Sequence, residues 1–206
     1  MRDRTKRVGR GGRPRKFDQA AALRSMQRQL WTAGLSGVSL DGIARSAGLN
    51  RPSLAAAFGG KDAIYAQAAA QFVAMMNARL SEAIAIADLS AALKAAFDAA
   101  IDIYTTDGPR GCFVLCTAPA EALTHPACRT ILARSLQAID AFFLRRLELD
   151  RGRMTANSAD LPMLAAQLGA TVHSLALRAR AGWSPERLRS LAAGTIRLVI
   201  GEGRTS

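Results

Sequence analysis

"ARSAGLNRPSLAAAFGGK", residues 44–61, is the stretch on which the fold turns. A helical run stops at Gly48. A second starts two residues later at Asn50-Arg51-Pro52, passes through three alanines and is cut by Gly59-Gly60. Gly48 tolerates the positive φ that so tight a turn needs, and Leu49 anchors the turn in apolar surroundings. Ala44 or Ala47 supplies the small residue where one helix crosses the other. Asn50 is placed to cap the second helix, and Pro52 falls in its first turn, where a missing N–H costs nothing. Leu54, Phe58 and Ala57 then face inward. Arg51, Ser53, Ala55 and Ala56 stay outside near the helix start, the part of a recognition helix that enters a major groove. A helix that must lie deep in a groove is short and nearly bare. The stretch predicts a helix-turn-helix.

Upstream, Asp18 can cap a helix running to Ala33 and stopped by Gly34, with Ala22, Met26, Leu30, Leu23 and Trp31 toward one face. Ser39 can cap the next, with Asp41 in its first turn and Ile43, Ala44 and Ala47 as its inner stripe. Ahead of these helices the first sixteen residues hold eight Lys and Arg against Asp3 alone, a net +7. With Gly9, Gly11, Gly12 and Pro14 and almost no apolar residue, this arm is expected to be disordered in isolation and to seek a polyanion. The whole chain of 206 residues carries +12.

Downstream the texture is helical throughout. Residues 61–87 form a long segment apolar on most faces (Ile64, Ala68, Phe72, Met75, Met76, Leu80), as for a helix between two bodies. Further helices are expected at 90–106, 111–123, 126–150, 160–181 and 185–200, with Pro119 kinking or splitting one of them. About nine helices and no defensible strand make the fold all-α.

Several function classes drop out. No secretory segment follows the N-terminal charges, and no stretch has the apolar length of a membrane span. Cys112, Cys116 and Cys128 lack zinc-type pairing and suit a reducing cytoplasm. A thiol nucleophile with a histidine base is conceivable, but no phosphate loop, metal-spaced cluster or distinctive carboxylate pair supports an enzyme. No cofactor or metal is expected. A non-specific DNA-coating protein would not need the large second body.

Residues 12–65, "GRPRKFDQAAALRSMQRQLWTAGLSGVSLDGIARSAGLNRPSLAAAFGGKDAIY", resemble the DNA-binding domain of the TetR family of transcriptional regulators without a gap. "GCFVLCTAPAEA" (111–122) and "LALRARAGWSPERLRSLAAGTIRLVIG" (175–201) are similar to members with this kind of lead-in. The resemblance implies a basic arm over 1–16, a DNA-binding domain over 17–60, and an effector-binding and dimerisation domain over 61–206. The implied function is a cytoplasmic repressor on a pseudo-palindromic DNA operator, released by a small, mostly apolar effector. The DNA-facing residues would be Arg10, Arg13, Arg15, Lys16, Ser39, Asn50, Arg51, Pro52, Ser53, Ala55 and Lys61. Members commonly have a tyrosine that holds a phosphate where this chain has Ala55, so Ser53, Lys61 and the arm are the candidates for that contact.

From helix faces, the effector pocket would be lined by Met76, Leu80, Phe97, Ile101, Tyr104, Phe113, Cys116, Phe142 and Leu168, with His173 as a polar contact. Residues of this kind are more often plain core filling. A homodimer through the last two helices would pair the stripes Leu161, Leu164, Leu168, Val172, Leu175 and Leu188, Leu191, Ile196, Val199. Cys112 and Cys116 are four apart, hence on one face of a helix. The helix dipole and Arg110 would both lower the Cys112 thiol pKa. The same Gly-Cys pair occurs in related members, some of which respond to electrophiles or oxidants, so an alternative is a redox-sensing regulator acting through Cys112.

Overall fold

The computed structural model describes residues 18–106, 110–151 and 160–200, and among them every regular element is an α-helix. The elements are α1 (Gln19–Ala33), α2 (Leu40–Ser46), α3 (Arg51–Phe58), α4 (Lys61–Ile84), α5 (Leu89–Thr105), α6 (Phe113–Glu121), α7 (Pro126–Leu149), α8 (Leu161–Arg180) and α9 (Pro185–Ile200). The basic arm, with Arg10, Arg13, Arg15 and Lys16, lies outside the described residues.

Local chemistry sets most of the boundaries. The Asp18 carboxylate accepts from the Ala20 and Ala21 N–H groups, and the Asp88 and Asp160 side chains cap α5 and α8 in the same way. Gly48 takes φ +66° in the turn between α2 and α3, a conformation that a side chain would strain. Pro119 does not split its segment. It sits inside α6, which stays one helix although Pro119 has no N–H to donate back to the preceding turn.

The first three helices form a small unit: α1 packs on α2, and α2 on α3. α1 also rests on α4 and α6, where Trp31 meets Phe72 edge-on at 5.0 Å and Phe113 at 6.0 Å. Behind them, α7 packs against α8, α6 and α4, and α5 against α4, α8 and α9. Arg146 on α7 and Asp150, the residue that caps its C-terminus, are both buried and form an ion pair, and the same guanidinium donates to the carbonyls of Ile86 and Ala87, tying down the α4–α5 turn. The sixteen-residue α9 buries Leu188, Ala192, Ile196 and Val199 against the rest.

Two sequence expectations change. The long helix α4 is amphipathic rather than apolar on most faces: Ile64, Tyr65, Ala68, Phe72, Met76 and Leu80 are buried, while Met75 is 42% exposed. The stripes assigned to a dimer seam are spent inside the subunit. Leu161, Leu168, Val172, Leu175, Leu188, Ile196 and Val199 are buried, and Leu164 and Leu191 pack partly against the same core. The apolar side chains that α8 and α9 expose are instead Met163, Leu177 and Leu198. A 3.6-residue period marks that a face is buried, not whether a second subunit buries it.

Candidate nucleic-acid interface and ligand cavity

The helix-turn-helix is held by two capping bonds. Ser39 Oγ accepts from the Gly42 N–H at 3.0 Å, and Asn50 Oδ1 from the Ser53 N–H at 2.8 Å. Ser39 and Asn50 are therefore structural caps, whatever else they touch. α3 buries only Leu54 and Phe58, leaving Arg51, Pro52, Ser53, Ala55 and Ala56 exposed. This is the narrow, bare surface expected of the stretch. Arg51 does not stand alone: its Nε lies 3.8 Å from the Asp41 carboxylate in the first turn of α2, both side chains mostly exposed. That pairing across the motif was not foreseen, although both residues are exposed at helix starts. Lys61 opens α4, is half-buried, and its charge reaches Glu121.

A cavity of about 50 Å³ lies between α4, α5, α6 and α7. Of the expected lining residues, Met76, Leu80, Tyr104 and Phe142 border it. Phe97, Ile101, Phe113 and Leu168 are buried in the packed core away from it, where each fills space between helices. Cys116 and His173 are also away from it. Cys116 is half-buried with its Sγ 3.9 Å from the Ala176 carbonyl, and burial, opposed by Asp140, lowers the His173 pKa. The sequence reading missed Phe72, Val73, Asn77, Val114, Leu115, Ser135, Ala138 and Ile139, and above all Cys112.

Cys112 reverses its expectation. It is the N-cap of α6, and the Val114 and Leu115 N–H groups do favour its thiolate, as the helix-start argument requires. Burial outweighs them and pushes the thiol up to about 12. Arg110 is directed elsewhere, its guanidinium donating to the Ala179 and Trp183 carbonyls at 3.0 and 2.7 Å. A thiol this hard to ionise is a poor nucleophile. The glycine before it has a packing reason: Gly111 adopts φ +85°, and a Cβ there would stand 2.6 Å from the Ala176 carbonyl oxygen on α8.

The small unit and the cavity share one helix. At its N-terminal end, α6 borders the cavity through Val114 and Leu115, and at its C-terminal end Glu121 grips the loop after α1. The Ser36 N–H and hydroxyl both donate to the Glu121 carboxylate, at 2.8 and 2.6 Å. Burial alone would raise the Glu121 carboxyl, but these two bonds and the charges of His125 and Lys61 hold it below the ordinary 4.5. A second strap comes from α8, where Arg180 donates to the Trp31 and Thr32 carbonyls at 2.9 and 3.1 Å.

A three-helix unit with an exposed, capped helix-turn-helix, strapped to a helical body that holds a small cavity, is the architecture of a DNA-binding protein. Residues 21–68 match the family model described as "Bacterial regulatory proteins, tetR family". The HTH-type transcriptional repressor ComR of Escherichia coli (strain K12) is 27% identical over 194 residues, which is 91% of either chain. Among solved structures, a cysteine-substituted TetR family transcriptional regulator CifR, complexed with 26-bp double-strand operator DNA, superposes with a TM-score of 0.80 at 25% identity. The match covers 90% of this chain and 98% of that one. A transcriptional regulator from Rhodococcus sp. Rha1 gives 0.73 at 25% identity, over 87% and 94%. AibR in complex with isovaleryl coenzyme A and operator DNA, at 16% identity and a TM-score of 0.68 over 88% and 97%, shares the fold. Residues 21–68 therefore carry a DNA-binding domain of the TetR type, and over about nine-tenths of its length the chain is similar to transcriptional regulators of that family.

Proposed function

We propose that this regulator is a repressor: a homodimer that binds a pseudo-palindromic operator and leaves it when a small, mostly apolar effector enters the cavity. The observation that carries the reading is the outer face of α3, bare from Arg51 to Ala56 and held rigid by the Asn50 cap. The outer face of such a helix packs on nothing in its own protein and fits the floor of a groove. The repressor named ComR and the operator complex of CifR support the same role. AibR's ligand does not carry over, since that likeness is one of fold.

In this reading residues 17–60 bind DNA and 61–206 form the effector and dimer body. Arg51 reads a base edge, while Ser53, Lys61 and the arm residues Arg10, Arg13, Arg15 and Lys16 hold phosphates in place of the tyrosine that Ala55 replaces. The dimer still forms through α8 and α9, but on the faces carrying Met163, Leu177, Leu191 and Leu198, because the inward stripes are spent. The protein acts in the cytoplasm, and among the described residues no helix is long and apolar enough to cross a membrane. Electrophile sensing through Cys112 is the weaker reading, since its thiol is buried and protonated.

The test is operator selection from random duplex DNA, followed by Arg51→Ala. The variant should lose about 1–3 kcal/mol on the selected site and much less on random DNA. Equal losses on both would reduce Arg51 to a phosphate contact. Failure to enrich any site would remove the repressor reading.

A further inference from the structure

Two tyrosines are fully buried in the body, and they are treated differently. The Tyr65 hydroxyl shares a 2.8 Å hydrogen bond with Thr117, which itself donates to the Phe113 carbonyl. The Tyr104 hydroxyl is equally sealed from solvent, at 0% exposure, and has no hydrogen-bond partner at ordinary distance. What it has is a weak hydrogen bond to the Cys112 thiol, since sulfur is a poor acceptor. Leaving a buried hydroxyl unmatched destabilises a protein, and such groups are rare for that reason. Tyr104 is no stray: it lies on the wall of the cavity between α4 and α7. Burial also pushes its pKa well up, so the group keeps its proton to donate.

The rest of the wall restricts what could accept that proton. Met76, Leu80 and Phe142 are apolar, Asn77 and Ser135 are neutral, and no charged side chain borders the space. A carboxylate or ammonium entering would surrender its hydration and meet no opposite charge. The volume, about 50 Å³ as closed, is far below the roughly 300 Å³ at which drug-sized pockets begin. The occupant must therefore be small, and it must push open a wall that includes a flexible methionine.

We infer that the effector is a small uncharged molecule with one carbonyl-type oxygen, which accepts a hydrogen bond from Tyr104, and an apolar remainder packed against Met76, Leu80 and Phe142. The inference rests on the cavity being the effector site, and the experiment separates the two.

Full-length protein on its selected operator is titrated with hexan-2-one, hexane, hexanoate and hexylammonium, reading melting temperature and DNA release. Hexan-2-one should raise the melting temperature and free the DNA, and the two ions should do neither. Tyr104→Phe should bind hexan-2-one about tenfold more weakly while binding hexane as before. It should also melt higher than wild type without ligand, because the poorly matched hydroxyl is gone. A purely packing tyrosine would not give that opposed pair of changes. The carbonyl stretch of 13C-labelled ketone should lie lower in wild type than in the variant, reporting the hydrogen bond itself. Equal ketone affinity in both proteins, or ions that bind as tightly, would overturn the carbonyl assignment and leave the cavity as effector site. Tyrosine-dependent binding that leaves the operator bound would instead remove the effector role. Binding of no neutral probe would end both.

Discussion

Helices α3 and α6 are eight and nine residues long, and both begin at a residue with extended backbone that closely follows a positive-φ glycine, Gly48 and Gly111. In everything else they are opposites. α3 is entered through a side-chain cap and buries two residues, Leu54 and Phe58. α6 has no side-chain cap and buries six: Phe113, Val114, Leu115, Thr117, Ala118 and Glu121. A short helix makes few hydrogen bonds of its own and is unstable alone, so each must be stabilised from elsewhere. For α3 that support is local, the Asn50 cap and two anchors, and its outer face is left exposed. For α6 the support is the whole body, and in return it spans from the cavity wall to the loop after α1.

The largest effect that would test this contrast comes from hollowing α6. Phe113 is fully buried, tilted on Tyr65 at 5.2 Å and facing Trp31 edge-on. Phe113→Ala should cost about 3–5 kcal/mol of stability in denaturant titration. Truncating the exposed Arg51 on α3 should cost less than about 0.5 kcal/mol of stability. If both substitutions cost the same, the two helices are not supported differently.

A smaller effect concerns the far end of α6. Glu121→Gln keeps the shape but removes the charge that receives both Ser36 bonds, and should cost about 1–3 kcal/mol. The pH dependence has a fixed sign. Because the folded carboxyl is held below its ordinary value, its contribution is complete above that value and fades as pH falls through the lowered one. The stability gap between wild type and Glu121→Gln should therefore be widest near neutrality and close only below pH 4.5. The variant should also respond less to effector at unchanged ligand affinity, since it loosens the strap between cavity and DNA-binding unit. A gap that persists undiminished into acid would assign the loss to packing.

The same contrast separates what the sequence disclosed from what it hid. α3 was legible because Gly48, Asn50, Pro52 and Gly59 act within three or four residues of themselves, and so were the caps of α1 and α2. The nine helices among the described residues followed from the same punctuation. What α6 connects was not legible, because the partners are far apart in sequence: Ser36 meets the Glu121 carboxylate 85 residues away, and the second strap, from Arg180 on α8, reaches a carbonyl 149 residues away. Periodicity named residues that do lie inside, but could not separate the wall of a cavity (Met76, Tyr104) from solid core (Ile101, Leu168). Cys112 was misjudged for a related reason. The dipole and a nearby arginine can be read from the chain, whereas the burial that outweighs them depends on what packs over the thiol.

The smallest expected effect lies at the rim of α3. Arg51 and Asp41 pair at 3.8 Å with both side chains about two-thirds exposed, 63% and 65%, so the pair contributes under about 1 kcal/mol to stability. Its consequence for DNA is larger than its consequence for the fold. In the free protein Asp41 competes with DNA for the guanidinium and brings a negative charge near the phosphates. Asp41→Asn should remove both, tightening binding to random DNA by several-fold at low salt and less as salt screens the field. Stability should fall by only a few tenths of a kcal/mol, the loss of an acid from the first turn of α2. Weaker binding to the selected operator alone would give Asp41 the opposite role: it would be the residue that aims Arg51 at its base, and the exposed pair would be part of the reading head.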